Sequence, residues 1–181
     1  MDIRTQRSKT FIWKAFFDLM TEGEPFSRTT INQICEKAMV HRSTFYKHFE
    51  DKYALLEFGL SQIFADYKAI SAIKKAEKPF TWAAAFFENS AAQVLLNAQK
   101  KDEVFFDLLK NYSIAMMKED VLTAYQQIET TVSVPLDLLA EFHVSAIFTL
   151  SHWQAKNSQP ISAEEMDRYF QQLVVNQIKK D

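Results

Sequence analysis

TINQICEKAMVHRSTFYKHFEDK, residues 30–52, holds two short helical patterns that meet at a tight turn, with a third helix start directly behind them. Ile31, Ile34, Cys35 and Ala38 recur at i, i+3, i+4 and i+7, which lays one apolar stripe along about two turns of helix. Thr30 and Gln33 have the spacing of a capping box at its start. Beyond Met39 and Val40 the polarity changes. Arg42, Ser43, Thr44, Tyr46, Lys47 and His48 gather cationic and hydroxyl groups, while Phe45 and Phe49, spaced i and i+4, pin the second helix to a core. A short helix anchored on one side and polar on the other suits the DNA major groove, where base edges accept from Arg and phosphates accept from Lys, Ser, Thr and Tyr.

At these residues the chain resembles the tetracycline-repressor (TetR) family of one-component regulators. The family pattern is an isoleucine-bearing helix, a small-residue turn, a Thr-aromatic-Tyr-x-His-Phe run and a Lys shortly after it. Ile31, Ile34, Ala38, Val40, Thr44, Phe45, Tyr46, His48, Phe49, Lys52 and Leu55 carry it here, with Leu56 following, over roughly the first third of the chain. Met39 stands where the family usually has Gly, and His41 where it usually has Ser. Met39 must therefore avoid or tolerate a positive φ, and His41 is a weaker cap than Ser. The resemblance implies an N-terminal three-helix helix-turn-helix DNA-binding domain, residues 1–51, followed by a helical effector-binding and dimerisation domain, residues 52–181. It also implies a phosphate contact at the Thr29/Thr30 helix start and another at Lys52. With Arg28 beside that start, the candidate DNA-binding residues are Arg28, Thr29, Thr30, His41, Arg42, Ser43, Thr44, Tyr46, Lys47, His48 and Lys52.

Composition bounds the fold independently. In 181 residues, 48% of them hydrophobic, there are two glycines and four prolines, too few turn residues for a β-sandwich or barrel, so an all-α chain is expected. Cys35 is the single cysteine and falls on the apolar stripe, which excludes an intrachain disulfide. Met1–Thr21 has no signal-peptide pattern, and no apolar run is long enough to span a membrane, so cytoplasmic residence and no membrane partner are expected. Through Lys52 there are nine Lys and Arg against seven Asp and Glu; after it, twelve against sixteen. A mildly cationic head on an acidic body disfavours indiscriminate nucleic-acid binding and leaves more of the work to specific contacts.

Catalysis finds little support. His41, His48, His143 and His152 show no metal-ligand spacing, and there is neither a Gly-rich phosphate loop nor a nucleophile-elbow Ser. No catalytic residue, metal or cofactor is expected.

Taken in order, residues 5–21 read as an amphipathic first helix, broken by Gly23 and Pro25, with Phe26 packing back on the core. Asp51 is a fitting N-cap for a long fourth helix from Lys52 to about Glu77, the lever in the resembled family. After Pro79, Trp82–Gln99 carries Glu88 as its one charge and is apolar nearly all round, which predicts a single buried helix. Asp102–Asn111 and Tyr112–Thr130 read as two further segments rich in Phe, Leu and Met. Leu136 to Trp153 behind Pro135, and Met166 to Ile178 behind a Ser162/Glu165 capping box, read as two amphipathic helices that would build a homodimer seam. Sixteen Phe, six Tyr and three Trp suit an apolar effector pocket, for which Phe86, Asn89, Gln93, Phe105, Tyr112, Met116 and His143 are the candidate lining. Two functions stay open: a repressor released from a palindromic operator by a small apolar or aromatic effector, and a co-activator of the same architecture whose second domain binds a partner protein.

Overall fold

The computed structural model describes residues 3–88, 90–128, 133–157 and 159–178. All regular elements among them are helical: α1 Ile3–Thr21, α2 Ile31–Lys37, α3 Arg42–Tyr46, α4 Lys52–Ile63, α5 Ala65–Lys68, α6 Ala72–Glu77, α7 Pro79–Phe87, α8 Ala91–Ala98, α9 Glu103–Tyr125, α10 Leu136–Lys156, α11 Ala163–Phe170, a π-helical turn Gln171–Val175, and α12 Asn176–Ile178. Two compact units result, Met1–Asp66 with Asn89–Lys110, and Tyr67–Glu88 with Asn111–Asp181.

In the first unit α1 packs on α2, α4 and α8. Ile12, Phe16 and Met20 of α1, with Phe26, Ile34, Phe45, Leu55 and Leu56, are completely or almost completely buried. Removing that much apolar surface from water is the main drive for helices as short as α2 and α3 to form at all. Gly59 lets α1 and α4 approach closely: a Cβ there would lie 2.1 Å from the Trp13 ring. Gly23, at φ 108°, ends α1, and the Glu24 N–H bonds back to the Leu19 carbonyl at 3.1 Å.

The second unit closes around Val121, Tyr125, Leu139, Val144, Phe170 and Val174, contributed by α9, α10 and the last helical segment. Asp167 of α11 accepts from the Phe80 and Thr81 N–H groups at 2.9 and 3.0 Å, which caps the start of α7 behind Pro79.

Three sequence expectations need correction. The fourth helix stops at Ile63 and resumes as α5 and α6, because Leu55, Leu56 and Leu60 fill the first core whereas Tyr67, Lys75 and Ala76 fill the second. Trp82–Gln99 is two helices, parted by extended backbone at Glu88 and by Ser90, whose hydroxyl accepts from the Gln93 N–H as an N-cap. They are not buried all round either: Ala84, Ala85 and Val94 are exposed. Conversely, Asp102–Asn111 and Tyr112 onward form the single helix α9, whose change of pattern marks passage from one unit to the other. The expected end of that segment, Thr130, lies outside the described residues. The final helix carries a π turn at Gln171–Val175, and the extra residue per turn lets both Val174 and Val175 reach the core.

Candidate functional site

The head is built around the α2–α3 corner. Thr30 starts α2 with a complete capping box: its hydroxyl accepts from the Gln33 N–H at 3.3 Å, and its own N–H donates to Gln33 Oε1 at 2.8 Å. At the other end Met39 takes φ 50°, and the Val40 N–H reaches the Cys35 carbonyl at 3.0 Å. This is the left-handed helix stop that glycine usually supplies, made here by a fully solvated methionine. His41 then begins α3 with no side-chain capping bond. Phe45 and Phe49 are buried beneath α3, leaving His41, Arg42, Ser43, Tyr46 and Lys47 exposed, with Thr44 and His48 at the edge.

Arg42 is held in place. Its Nη1 donates to Asn32 Oδ1 at 2.9 Å, its Nη2 to the Tyr46 hydroxyl at 3.0 Å, and its guanidinium lies over the Tyr46 ring. Asn32 escaped sequence reasoning because one exposed Asn on a short helix has no spacing signature. Burial, then the nearby Lys47 and Lys9, push the His48 imidazole below its usual range.

Beneath this face a second set of residues fixes the segment before α2. Lys52 Nζ donates to the Phe26, Ser27 and Thr29 carbonyls at 2.9, 3.1 and 2.9 Å, which engages all three ammonium hydrogens within the protein. Burial pushes its pKa down, and Asp102 counters that. Gln99 accepts from the Phe26 N–H at 2.8 Å and donates to the Met20 and Glu24 carbonyls at 2.7 and 2.9 Å. Asp102 accepts from Ser27 N–H at 2.7 Å and Phe105 N–H at 3.0 Å. Although burial acts to raise the Asp102 pKa, these backbone bonds outweigh it and hold the carboxyl low. Thr29 is buried, its hydroxyl donating to the Pro25 carbonyl at 2.9 Å, whereas Arg28 and Thr30 are exposed. Gln99 and Asp102 lie about 75 residues from the loop they hold, a separation no local pattern reveals.

The candidate ligand residues divide. Gln93 and Phe105 belong to the first unit, the former donating to Asn97, the latter buried against Phe26. Phe86 meets Tyr67 edge-on, Tyr112 lies under the Lys68 ammonium, and Met116 is buried, all in the second unit. Asn89 lies outside the described residues. His143 lines a cavity of about 190 Å³ in the second unit with Tyr67, Lys75, Phe80, Met117 and Asp120 among others. It is completely buried, and its Nδ1 lies 3.0 Å from the Tyr125 hydroxyl. Burial pushes its pKa down to about 4, with the Ala76 carbonyl pulling weakly the other way. Lys75 and Asp120 form a largely buried ion pair at 2.7 Å on the same wall.

A third surface runs along α10 and the chain's last helices: Leu138, Phe142, Trp153 and Leu173 are exposed, and Trp153 stacks edge-on to Tyr169. Among the described residues no helix is long and apolar enough to cross a membrane, and no three His, Cys, Asp or Glu side chains are grouped to hold a metal.

Residues 21–57 match the family model of bacterial regulatory proteins of the tetR family. The chain is 23% identical over 178 residues to YxbF, an uncharacterized HTH-type transcriptional regulator of Bacillus subtilis (strain 168). That alignment covers 96% of this chain and 46% of YxbF, so the chain spans about half the length of this curated relative. Among solved structures it is similar to a TetR transcriptional regulator from Streptococcus agalactiae, with TM-score 0.60 and 24% identity over 94% of this chain and 95% of that one. It is similar too to NalD, the secondary repressor of the MexAB-OprM multidrug efflux pump in Pseudomonas aeruginosa, with TM-score 0.57 and 13% identity over 98% and 99%. These structural likenesses speak to the fold.

Proposed function

We propose that the chain, whose residues 21–57 match the model of the tetR family of bacterial regulatory proteins, is a cytoplasmic transcriptional repressor of that kind, binding a palindromic operator as a homodimer and leaving it when a small, largely apolar effector binds. The observation that carries the DNA-reading part is the braced Arg42. An exposed guanidinium at the start of a helix whose back is buried, held by Asn32 and Tyr46, is ordered before it meets a base edge and loses little freedom on binding. One such helix reads only a few base pairs, so useful specificity asks for two heads on one site. The exposed Leu138, Phe142, Trp153 and Leu173 supply an apolar face for pairing two copies. The second unit's cavity supplies a place for the effector.

The test is a pair of variants on an operator recovered by selection from random duplexes. Arg42→Ala is expected to cost about 1–3 kcal/mol on the operator and to relax one position of each half-site, leaving random DNA nearly unaffected. Lys47→Ala, from the same exposed face, is expected to weaken operator and random DNA alike and to lower the salt slope by about 1. If both folded variants bind every duplex as tightly as the parent chain, the head does not read DNA through α3.

A further inference from the structure

We propose that the second unit's cavity takes an uncharged, one-ring aromatic molecule bearing a single O–H or N–H donor, and that the donor binds the Asp120 carboxylate. This deepens the effector reading above and rests on it. Size comes first. A cavity of about 190 Å³ is smaller than sites for drug-sized ligands and only a little larger than an engineered apolar cavity that accepts benzene, at about 150 Å³. Tyr67, Phe80, Met117, Val121, Ile147 and Phe148 make most of its wall apolar, so the body of the ligand is apolar too.

Charge comes next. Lys75 is paired with Asp120 and also lies 5.1 Å from the centroid of the Tyr67 ring, so the one cation and the one carboxylate on the wall cancel. His143 is neutral well below physiological pH, and Tyr67, pushed up to about 12 by burial and then by Asp120 and Asp167, is neutral far above it. A charged ligand would therefore bring a buried charge with no counter-charge to meet it, which is strongly disfavoured.

The hydrogen-bond inventory then selects a donor. Asp120 uses Oδ1 for Lys75, while Oδ2 is buried without a hydrogen-bond partner among the described residues. A carboxylate oxygen accepts only, and leaving it unsatisfied away from water is costly, so a ligand donor gains more here than at the surface. His143 is the other polar group to weigh: its Nδ1 lies 3.0 Å from the Tyr125 hydroxyl, and its Nε2 is buried without a hydrogen-bond partner among the described residues. With the Tyr125 hydroxyl donating to Nδ1, the ring N–H sits on Nε2 and is a donor, which leaves Asp120 Oδ2 as the acceptor for the ligand.

The experiment titrates the full chain, without DNA, with phenol, toluene, benzoate and benzylammonium, by calorimetry and ligand-observed NMR. Phenol is expected to bind at least tenfold more tightly than toluene, and both ions more weakly than phenol. Asp120→Asn, which keeps an acceptor for Lys75 and turns the other atom into a donor, is expected to erase the phenol preference. Ser113→Leu, which fills the cavity and leaves the ion pair alone, is expected to abolish phenol binding with the circular-dichroism spectrum unchanged. Toluene binding as well as phenol, either ion binding better, or phenol binding undiminished in Ser113→Leu would overturn the assignment, as would no binding of phenol to the folded parent chain at millimolar concentration. Operator affinity, measured separately with and without phenol, keeps the two readings apart. Phenol bound with operator affinity unchanged supports the site and removes its role as an effector site; operator binding intact without phenol binding removes the site and leaves the DNA-reading part standing.

Discussion

Buried polar groups are handled in opposite ways at two places, the loop before α2 in the first unit and the cavity of the second. In the first, Thr29, Gln99 and Asp102 are buried and each is hydrogen-bonded to the backbone around residues 20–30, so polarity is spent on fixing one loop. In the second, Lys75, Asp120 and His143 border a cavity, and the buried Asp120 Oδ2 is left without a hydrogen-bond partner among the described residues. A satisfied network makes a rigid frame, whereas an incompletely satisfied one around a void is a place where a second molecule can lower the free energy. Under the proposed function, a DNA-reading head benefits from the first arrangement and a ligand-responsive unit from the second.

The largest expected effect tests the frame. Gln99→Ala removes one acceptor and two donors at once, leaving the buried Phe26 N–H and the Met20 and Glu24 carbonyls unpaired. A cost of about 4 kcal/mol is expected, since each stranded group costs about 1–3 kcal/mol and part of the site can be reached by water. Urea titration followed through Trp13, with Trp82 and Trp153 replaced by Phe, measures it. A loss under about 1 kcal/mol would mean that the loop is held by its apolar contacts alone, and the contrast between the units would fail.

The next effect belongs to the second unit. His143 titrates at about 4 in the fold and near 6.5 when unfolded, so between those values the unfolded chain binds the extra proton. Stability contributed by the neutral ring is complete above about pH 6.5 and is lost as pH falls toward 4, by about 3 kcal/mol in all. His143→Met should flatten that part of the stability–pH curve. If the parent and the variant lose stability in parallel from pH 7 to pH 4, the ring is not buried in its neutral form.

What could be read beforehand, and what could not, divides along the same physical line. The capping box at Thr30, the pinning of α3 by Phe45 and Phe49, the cap at Asp51 and the buried Cys35 depend on neighbours within a few residues, and local spacing reports them. The Gln99 and Asp102 bonds to the loop before α2, and the Lys75–Asp120 pair, join residues 45 or more apart, beyond any periodicity. The sequence pattern overextends the fourth helix for a related reason. Its apolar seam runs on past Ile63, but the seam serves one core up to Leu60 and another from Tyr67.

Packing in the head gives a smaller effect. At Gly59 a methyl group gains helix propensity of about 1 kcal/mol over glycine, yet it would overlap the Trp13 ring at 2.1 Å. Relief of so deep an overlap requires the indole to move within a packed core, at a cost of about 2–3 kcal/mol, the upper part of the usual range. A net loss of about 1–2 kcal/mol is expected for Gly59→Ala in the same urea assay, with an altered Trp13 emission maximum. A neutral or stabilising outcome would show that α1 and α4 can shift apart, and that the head is less rigid than its hydrogen bonds suggest.

The smallest effect concerns the one strained residue of the reading corner. Met39 holds φ 50°, a region that costs a side-chain-bearing residue about 1 kcal/mol or more and glycine almost nothing. Its side chain is 89% exposed, so replacing it removes little packing. Glycine gains by relief of strain and loses by the greater freedom of the unfolded chain, about 0.4–1 kcal/mol. The two nearly cancel, leaving Met39→Gly stabilising by about 0.5 kcal/mol at most. Its use lies in the second readout, operator affinity. The turn is already fixed by the Val40 N–H bond to the Cys35 carbonyl, and Arg42 by Asn32 and Tyr46, neither of which involves the Met39 side chain. Operator affinity should therefore change less than twofold. A tenfold change in either direction with stability unaltered would mean that Met39 itself meets the DNA, and that the rigid face of the head extends one residue further into the turn than Arg42.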